Sequence, residues 1–257
     1  MVTVSWTVII PVKRLTVAKS RLRGSLPGVD HDALVLAMAM DTVAAALASP
    51  VVGRVVVVTG DVAAGEAARE VGAEVIDDVP DAGLNSALAY AAATVRPRGG
   101  SLPGVAALAA DVPALRTEDL TDALRAAEAV ASSHATPIRA YVADAAGTGT
   151  VLLAASPDAG LEPCFGADSA AAHAASGAVA LTGAWRTLRR DVDTAADLRD
   201  AVRLGVGPRT VRLAGRRRPQ RVTVEDGVHA GHSGYLRPGA APWLAAARRW
   251  LRAGLFR

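Results

Sequence analysis

The chain has 257 residues, 51% of them hydrophobic, so it can bury one large core or two smaller ones. Its single cysteine, Cys164, excludes an internal disulfide or a cysteine-cluster metal site, and we expect a small buried residue there. The formal net charge of +3 is uneven, because residues 215–257 carry nine arginines and two acids. A basic tail on an acidic body argues against a nucleic-acid-binding domain, so we predict no nucleic-acid partner.

The N-terminal residues run directly into an apolar, strand-like segment, without the basic region and cleavage site of a secretory signal. The longest run rich in Ala, Val and Leu, residues 33–48, is too short to cross a bilayer and contains Asp41. We therefore expect a cytoplasmic protein without membrane insertion.

Apolar runs and Ala-rich helical patterns alternate through the first half of the chain. Strands are predicted at 7–12, 54–59, 73–76 and 104–110, and helices at 31–48, 61–71, 85–95 and 117–131. Near-continuous apolar runs are typical of strands buried on both faces. The alternation predicts an α/β fold, with a mostly parallel Rossmann-like sheet and helices on both faces. Ligands of such sheets bind beyond the carboxyl ends of the strands.

The pattern changes after residue 135. Two short strands are predicted at 138–144 and 150–155, and helices at 169–177 and 194–204. Residues 207–241 are rich in Gly, Pro and Arg, which predicts linker and irregular structure. We place one domain at residues 1–210, and expect truncation there to spare catalysis.

Residues 211–257 are expected to form a basic C-terminal extension, whose role the sequence leaves open. Within it, residues 242–256 show an amphipathic helical pattern. This pattern favours packing on the domain or on a second subunit. The alternative is a contact with a membrane surface or a partner protein.

The only two lysines of the chain, Lys13 and Lys19, lie just after the first predicted strand, together with Arg14 and Arg21. A flexible ammonium reaches a polyphosphate as a point charge, while arginine binds it bidentately. The loop therefore predicts a nucleoside triphosphate site, although it lacks the P-loop pattern. The alternative is a solvated cationic loop without a ligand.

Three aspartates follow predicted strands or precede helices. Asp111 ends an apolar run, and Asp191 and Asp193 lie on a later loop. If they meet at one cleft, their carboxylates would suit Mg²⁺, with phosphate oxygens completing its coordination shell. The alternatives are a turn or cap before Pro113 for Asp111, and the N-cap of the following helix for Asp193.

The stretch FGADS at 165–169 places a glycine and a serine at the start of a predicted helix, where free N–H groups favour an anion. Thr150 could add a hydroxyl donor, and a small phosphorylated acid is the predicted occupant. The alternative is an ordinary helix start capped by Asp168 or Ser169. His173, further along the helix, is assigned no role in the reaction.

Six motifs, in this order, resemble those of the guanylyltransferases of coenzyme F-420 (deazaflavin) biosynthesis. They are IIPVKRLTVAKSRL at 9–22, LNSAL at 84–88, LAADVPAL at 108–115, VADAAGTGT at 142–150, FGADS at 165–169 and LRRDVDTAADL at 188–198. The resemblance covers residues 7 to about 210. It implies the nucleotide-diphospho-sugar transferase fold and an enzyme that transfers GMP from GTP to a small phosphorylated acid, releasing diphosphate.

The resemblance also implies roles for individual residues, which fall into four groups. The groups are a basic catalytic loop facing the triphosphate (Lys13, Lys19 and Arg21), a Mg²⁺ site (Asp111, also catalytic, with Asp191 and Asp193), a base or ribose contact (Asn85 and Ser86) and a phosphoenolpyruvate pocket (Thr150, Gly166 and Ser169). No covalent enzyme intermediate is expected, because the phosphate of the acceptor is itself the nucleophile.

Phosphoenolpyruvate, 2-phospho-L-lactate and 3-phosphoglycerate share a phosphate and a carboxylate, so the motifs do not separate these acceptors. The lysine-poor, Ala- and Arg-rich composition indicates a high-GC genome, as in actinobacteria, whose members of the family are associated with phosphoenolpyruvate. A metal-dependent glycosyltransferase with a DxD pattern at 191–193 is the alternative of another class, and a nucleotide-binding module without turnover is a third. Two partner hypotheses stay open: a homodimer, and transfer of the labile product to the next enzyme of the pathway.

Overall fold

The computed structural model describes residues 6–15, 22, 28–95 and 104–214; Lys19, Arg21 and the predicted helix at 242–256 lie outside them. The strands in this part of the chain are β1 (Trp6–Pro11), β2 (Val52–Thr59), β3 (Glu74–Asp77), β4 (Gly104–Leu108), β5 (Arg139–Ala143), β6 (Thr150–Ala155) and β7 (Val179–Ala180). The helices are α1 (His31–Leu47), α2 (Val62–Glu70), α3 (Leu84–Val95), α4 (Thr117–Ser132), α5 (Ser169–Ala175), α6 (Ala195–Leu204) and α7 (Pro208–Ala214).

The strands form one seven-stranded sheet in the order β3, β2, β1, β4, β6, β5, β7. β1 to β4 are mutually parallel where they pair, and β7 is parallel to β5, whereas β6 runs antiparallel to both β4 and β5. The predicted α/β fold with a mostly parallel sheet is confirmed. Because β6 is antiparallel to β4, its first residues lie at the edge where β4 ends.

Helices cover both faces of the sheet. Neighbouring residues of a strand point to opposite faces, and the residues on both faces are apolar. Val8 and Ile10 of β1 belong to a core shared with α1, α2 and α4. Ile9, between them, belongs to a second core shared with α3 and α5. All three side chains are fully buried, which explains why the strands are apolar along their whole length. No helix in the described ranges has the length and apolar character needed to span a membrane.

A third, smaller apolar cluster lies beneath the loops at the carboxyl edge of the sheet. It contains residues of α1 and α6. It also contains residues of four loops, which follow β1 and β4 and precede α6 and α7. These loop residues are Leu15, Leu22, Ala114, Val192 and Val206. This cluster holds loops that are far apart in the chain against one another.

Two elements differ from the sequence prediction. β7 has only two residues, too few to produce a periodic signal. Helix α7 shows that the prediction of irregular structure from residue 207 is wrong for residues 208–214. The composition concealed α7, but Pro208 is suited to the first turn of a helix. The carboxylate of Asp41 in α1 also accepts hydrogen bonds from the N–H groups of Arg209 (3.1 Å) and Thr210 (2.8 Å).

Candidate active site

The predicted site residues gather at one edge of the sheet. β1 and β4 are neighbours, although β2 and β3 intervene in sequence. Successive strands are therefore added on one side of β1 up to β3 and on its other side from β4 onwards. Such a switch point opens a crevice at the carboxyl ends of the two strands. Lys13 follows β1 and Asp111 follows β4, so the two residues flank this crevice. Thr150, the first residue of β6, lies at the same edge.

The start of the basic loop (residues 13–21) is held by α2. Asp61, the N-cap of α2, accepts the N–H of Leu15 through Oδ2 at 3.0 Å. Lys13 is exposed, as a contact with a triphosphate would require. Arg14 forms an ion pair with Asp81 (3.0 Å) in which both side chains are more than half exposed, so the pair adds little stability. The sequence analysis assigned no role to Asp61 or Asp81.

The structure brings the loop of Asp111 against the acidic loop (residues 191–193). The N–H of Val192 donates to the main-chain carbonyl of Asp111 at 2.9 Å. The Val192 side chain is fully buried in the cluster beneath the loops. Its burial anchors the main chain between Asp191 and Asp193. Asp193 is exposed and Asp191 is half-buried.

Helix α6 does not use Asp193 as its N-cap, so that alternative is wrong. Its N-cap is Thr194, which forms a capping box with Asp197. Burial raises the pKa of Asp197, but hydrogen bonds from Thr194 and from the N–H of Asp193 outweigh this effect, so the pKa lies below its ordinary value. A charged Asp197 therefore anchors the end of the acidic loop at neutral pH.

The donor chemistry of the three aspartates suits Mg²⁺, because all three are carboxylates on loops joined by a hydrogen bond. Within residues 6–15, 28–95 and 104–214, however, no group of three or more His, Cys, Asp or Glu side chains is arranged to hold a metal ion. The Mg²⁺ site on Asp111, Asp191 and Asp193 therefore stays a prediction.

Asp144 shapes the turn between β5 and β6, which we call the acceptor turn (residues 144–149). Its carboxylate accepts the N–H groups of Thr148 (3.0 Å) and Gly149 (2.9 Å). A Cβ atom on Gly149 would lie 2.4 Å from a carboxylate oxygen of Asp144, so a larger residue there would have to displace this carboxylate. The turn sets the position of Thr150, the residue that follows.

Arg189 joins the acceptor turn to the segment that leads into the acidic loop. Its guanidinium donates to the carbonyls of Ala143 (2.7 Å), Leu181 and Gly183. Its own carbonyl accepts the N–H of Ala145 at 2.8 Å. These bonds fix the residues before Asp191 against the end of β5. The acidic loop and the acceptor turn are therefore held side by side.

The start of α5 is not capped by a side chain. Asp168 occupies the N-cap position with φ of 52°, and its carboxylate makes no capping hydrogen bond. Ser169 is the first residue of the helix and so is not its cap, whereas Asp168 is the N-cap residue but makes no side-chain capping bond. The N–H of Ala170 donates to the carbonyl of Thr148 at 3.0 Å, which ties α5 to the acceptor turn. Ser169 is buried, with 2% of its surface exposed.

Asn85 holds the acceptor loop (residues 164–168), which contains Gly166. Asn85 accepts the N–H of Phe165 (2.8 Å) and donates to its carbonyl (3.0 Å), so the carboxamide holds the main chain next to Gly166. Gly166 has φ of 143°, which an L residue rarely adopts, although no described residue would lie within 4 Å of a Cβ atom there. The role predicted for Asn85 and for half-buried Ser86 at the nucleotide stays a prediction.

His173 is the site residue that sequence reasoning missed. Its side chain is fully buried, and its ring contacts Phe165 edge-on with centroids 5.1 Å apart. Nε2 accepts the N–H of Cys164 at 2.9 Å, and Nδ1 lies 2.9 Å from the hydroxyl of Thr150. Cys164 is half-buried rather than buried. The available signal was a lone histidine in a short helix made otherwise of Ala and Ser.

The imidazole of His173 is neutral at physiological pH. Burial lowers its pKa, and the charge of Arg139 lowers it further, while a hydrogen bond with the main chain of Ser169 acts in the opposite direction. Because the pKa of His173 is lower in the folded state, the unfolded chain takes up a proton at a higher pH than the folded chain does.

We expect the free energy of unfolding to be constant with respect to this group above pH 6.5 and to fall as the pH drops below that value. One proton contributes a slope of at most about 1.4 kcal/mol per pH unit. Urea unfolding at several pH values should show that His173→Gln removes this slope. The matched control is exposed His134→Gln; removal of the slope by this variant instead would contradict the assignment.

Residues 6–174 match the family of CofC-like guanylyl transferases. The chain belongs to this family. Phosphoenolpyruvate guanylyltransferase of Salinispora arenicola is 56% identical over 214 residues, which make up 83% of this chain and 95% of that protein. The protein of the same name from Geodermatophilus obscurus is 53% identical over 216 residues, 82% of this chain and 94% of that protein.

A solved structure supports the fold of the chain. A protein of Desulfovibrio desulfuricans assigned to the nucleotide-diphospho-sugar transferases superposes with a TM-score of 0.51 at 16% identity, covering 75% of this chain and 84% of that one. The predicted nucleotide-diphospho-sugar transferase fold is confirmed. Family membership makes the chain a nucleotidyltransferase, which sets aside the DxD glycosyltransferase and the module without turnover.

Proposed function

We propose that the chain transfers GMP from GTP to phosphoenolpyruvate, releasing diphosphate, as a step of coenzyme F-420 biosynthesis. Relatives more than 50% identical over four fifths of the chain carry the name phosphoenolpyruvate guanylyltransferase. The observation that carries the proposal is the shared sheet edge. The loops of Lys13 and Asp111 flank the switch point there, and Thr150 lies beside them.

In the proposed reaction, an oxygen of the acceptor's phosphate attacks the α-phosphorus of GTP in line. A new P–O bond joins the acceptor to GMP, and the bond between the α-phosphorus and the bridging oxygen breaks. Diphosphate leaves towards the basic loop, where exposed Lys13 follows β1. We assign Lys19 and Arg21 to the same loop. A phosphate nucleophile is already ionised near neutral pH, so the chain needs no general base.

Mg²⁺ held by Asp111, Asp191 and Asp193 would supply positive charge beside the α-phosphate. The chain's own part is to keep these carboxylates near the crevice. The hydrogen bond from Val192 to the Asp111 carbonyl serves this positioning, as does burial of the Val192 side chain. Catalysis would then come mainly from positioning and electrostatics.

The acceptor would lie between the acceptor turn and the acceptor loop, held by Thr150, Gly166 and Ser169. The positive φ of Gly166, and the open space that the described residues leave beside it, would let an anion approach the main chain. Asn85 and Asp144 would keep the two segments in place through their main-chain hydrogen bonds.

We further propose that the protein acts in the cytoplasm, where GTP and phosphoenolpyruvate are available. A homodimer and transfer of the labile product to the next enzyme stay predictions. The same reaction on 2-phospho-L-lactate or 3-phosphoglycerate is the alternative to be tested first.

The purified protein should be mixed with GTP, Mg²⁺ and each of the three acids in turn, and diphosphate release measured. Release that depends on phosphoenolpyruvate and is many times slower with the other two supports the proposal. Release with 2-phospho-L-lactate alone would correct the acceptor, and no release with any acid would contradict guanylyl transfer.

Ser169→Ala should raise the Michaelis constant for the acceptor about ten- to a hundredfold. The change removes one hydrogen bond to an anion, which contributes about 1.5 to 3 kcal/mol. The Michaelis constant for GTP should be nearly unchanged. Steady-state kinetics with each substrate varied in turn measures both constants, and exposed Ser132→Ala on α4 is the matched control. A variant that raises the constant for GTP and leaves that of the acceptor unchanged would show that the two substrates occupy each other's sites.

A further inference from the structure

His173 connects the two segments that would hold the acceptor. It lies on α5, and its ring bonds the first residue of β6, Thr150, on one side and Cys164 of the acceptor loop on the other. Both bonds measure 2.9 Å, and the ring is fully buried. A buried imidazole with both nitrogens engaged has a fixed orientation, and its tautomer is set by its partners.

The partners decide which nitrogen carries the proton. The main-chain N–H of Cys164 can only donate, so Nε2 must offer its lone pair. In a neutral ring the proton then lies on Nδ1. A protonated Nδ1 has no lone pair, so Thr150 cannot donate to it, and the hydroxyl oxygen of Thr150 can only accept from it, alongside the main chain of Ser169. The burial of the ring and the charge of Arg139 agree with a neutral imidazole, since both lower the pKa of His173.

The hydroxyl proton of Thr150 is therefore directed away from the imidazole. Among residues 6–15, 28–95 and 104–214, no second hydrogen-bond partner of this hydroxyl is present. Thr150 is 8% exposed and lies at the sheet edge beside the loop of Asp111. A hydroxyl whose oxygen is already occupied by a donor recognises a hydrogen-bond acceptor, such as an anionic oxygen.

We propose that His173 is a positioning residue that holds Thr150 so that its hydroxyl donates to a phosphate or carboxylate oxygen of the phosphorylated acid. This inference rests on the proposed function, because it assigns Thr150 to the acceptor. It gives His173 no contact with the reacting atoms. It also explains why a buried histidine stands in a helix otherwise made of small residues.

Two substitutions separate the two bonds of the ring. Glutamine places its amide near the position of Nε2, so His173→Gln can still accept from Cys164 but leaves Thr150 without its donor. Asparagine places its amide near Nδ1, so His173→Asn keeps a donor for Thr150 and loses the bond to Cys164. For Thr150 itself, Thr150→Ser retains the hydroxyl and Thr150→Val removes it.

The test is calorimetric titration of phosphoenolpyruvate into each variant, which needs no turnover. We expect Thr150→Val and His173→Gln each to weaken binding about tenfold, and Thr150→Ser and His173→Asn to retain more of it. The double variant with His173→Gln and Thr150→Val should bind no more weakly than Thr150→Val alone, because His173 acts through Thr150. Fully additive losses would overturn the inference, since they would show a merely structural role.

A second measurement uses the unaltered protein. Nuclear magnetic resonance of ¹⁵N-labelled imidazole near pH 7.5 should show a neutral His173 protonated on Nδ1. A proton on Nε2, or a charged ring, would overturn the inference whatever the activity. If phosphoenolpyruvate binds through this network but no GMP is transferred, the proposed function fails and the role of His173 in acceptor binding stands.

Discussion

Asp111→Asn should reduce guanylyl transfer about a hundredfold or more without unfolding the protein. The change removes a negative charge that would hold Mg²⁺ beside the α-phosphate, and asparagine has nearly the same shape. The main-chain carbonyl that accepts from Val192 is unaffected, so the acidic loop should keep its position. The measurement is diphosphate release at saturating GTP and phosphoenolpyruvate, with urea unfolding to confirm the fold.

The control for this substitution is Asp122→Asn on the outer face of α4, where the carboxylate is 65% exposed and pairs weakly with Arg125. It makes the same chemical change far from the sheet edge, so it should leave the rate unchanged. If Asp111→Asn folds normally and keeps a rate near that of the unaltered protein, Asp111 does not serve the metal.

Ending the chain after Leu204 should destabilise the protein severely, whereas ending it after Ala214 should preserve the fold. The shorter chain lacks α7, whose first N–H groups are bound by Asp41. The Asp41 side chain is 0% exposed, so the loss of α7 removes its hydrogen-bond partners and uncovers the part of α1 on which it lies. The shorter chain also lacks Val206, which is buried in the cluster beneath the loops.

The same truncation should remove activity before it unfolds the protein, because the segment before α7 supports the site. The N–H of Gly207 donates to the carbonyl of Pro113 at 2.8 Å, two residues beyond Asp111. Urea unfolding and diphosphate release should be compared for chains ending at 204 and 214. Equal urea midpoints for the two truncated chains would show that α7 does not stabilise the fold. A cut at residue 210, the domain end expected from composition, passes through the helix.

The sequence predicted the sheet well because its strands are apolar along their length and its helix starts are marked locally. Asp30, for example, directly precedes α1, and its carboxylate accepts the N–H of Ala33 at 3.0 Å. The placement of Lys13 and Asp111 at the carboxyl ends of strands also followed from chain order, but the pairing of β1 with β4, which creates the switch point, did not. These features depend on neighbours in sequence or on the general geometry of parallel sheets.

The rest of the site depends on contacts between distant residues, which no local pattern reveals. The carboxamide of Asn85 binds the main chain of Phe165, 80 positions away in the sequence. The residues around Asn85 in the sequence do not indicate this partner. His173 was assigned no role because a histidine in a short helix usually packs or faces solvent. Its function as a hydrogen-bond bridge became visible only when Thr150 and Cys164 were placed on either side of it.

Phosphorus magnetic resonance of the protein with GTP, Mg²⁺ and phosphoenolpyruvate tests guanylyl transfer most directly. We expect a new pair of coupled diphosphate resonances, from GMP joined through its phosphate to the phosphate of the acid. Free diphosphate should appear in equal amount. Formation of GDP and inorganic phosphate, or consumption of GTP without a product containing both substrates, would contradict guanylyl transfer to phosphoenolpyruvate.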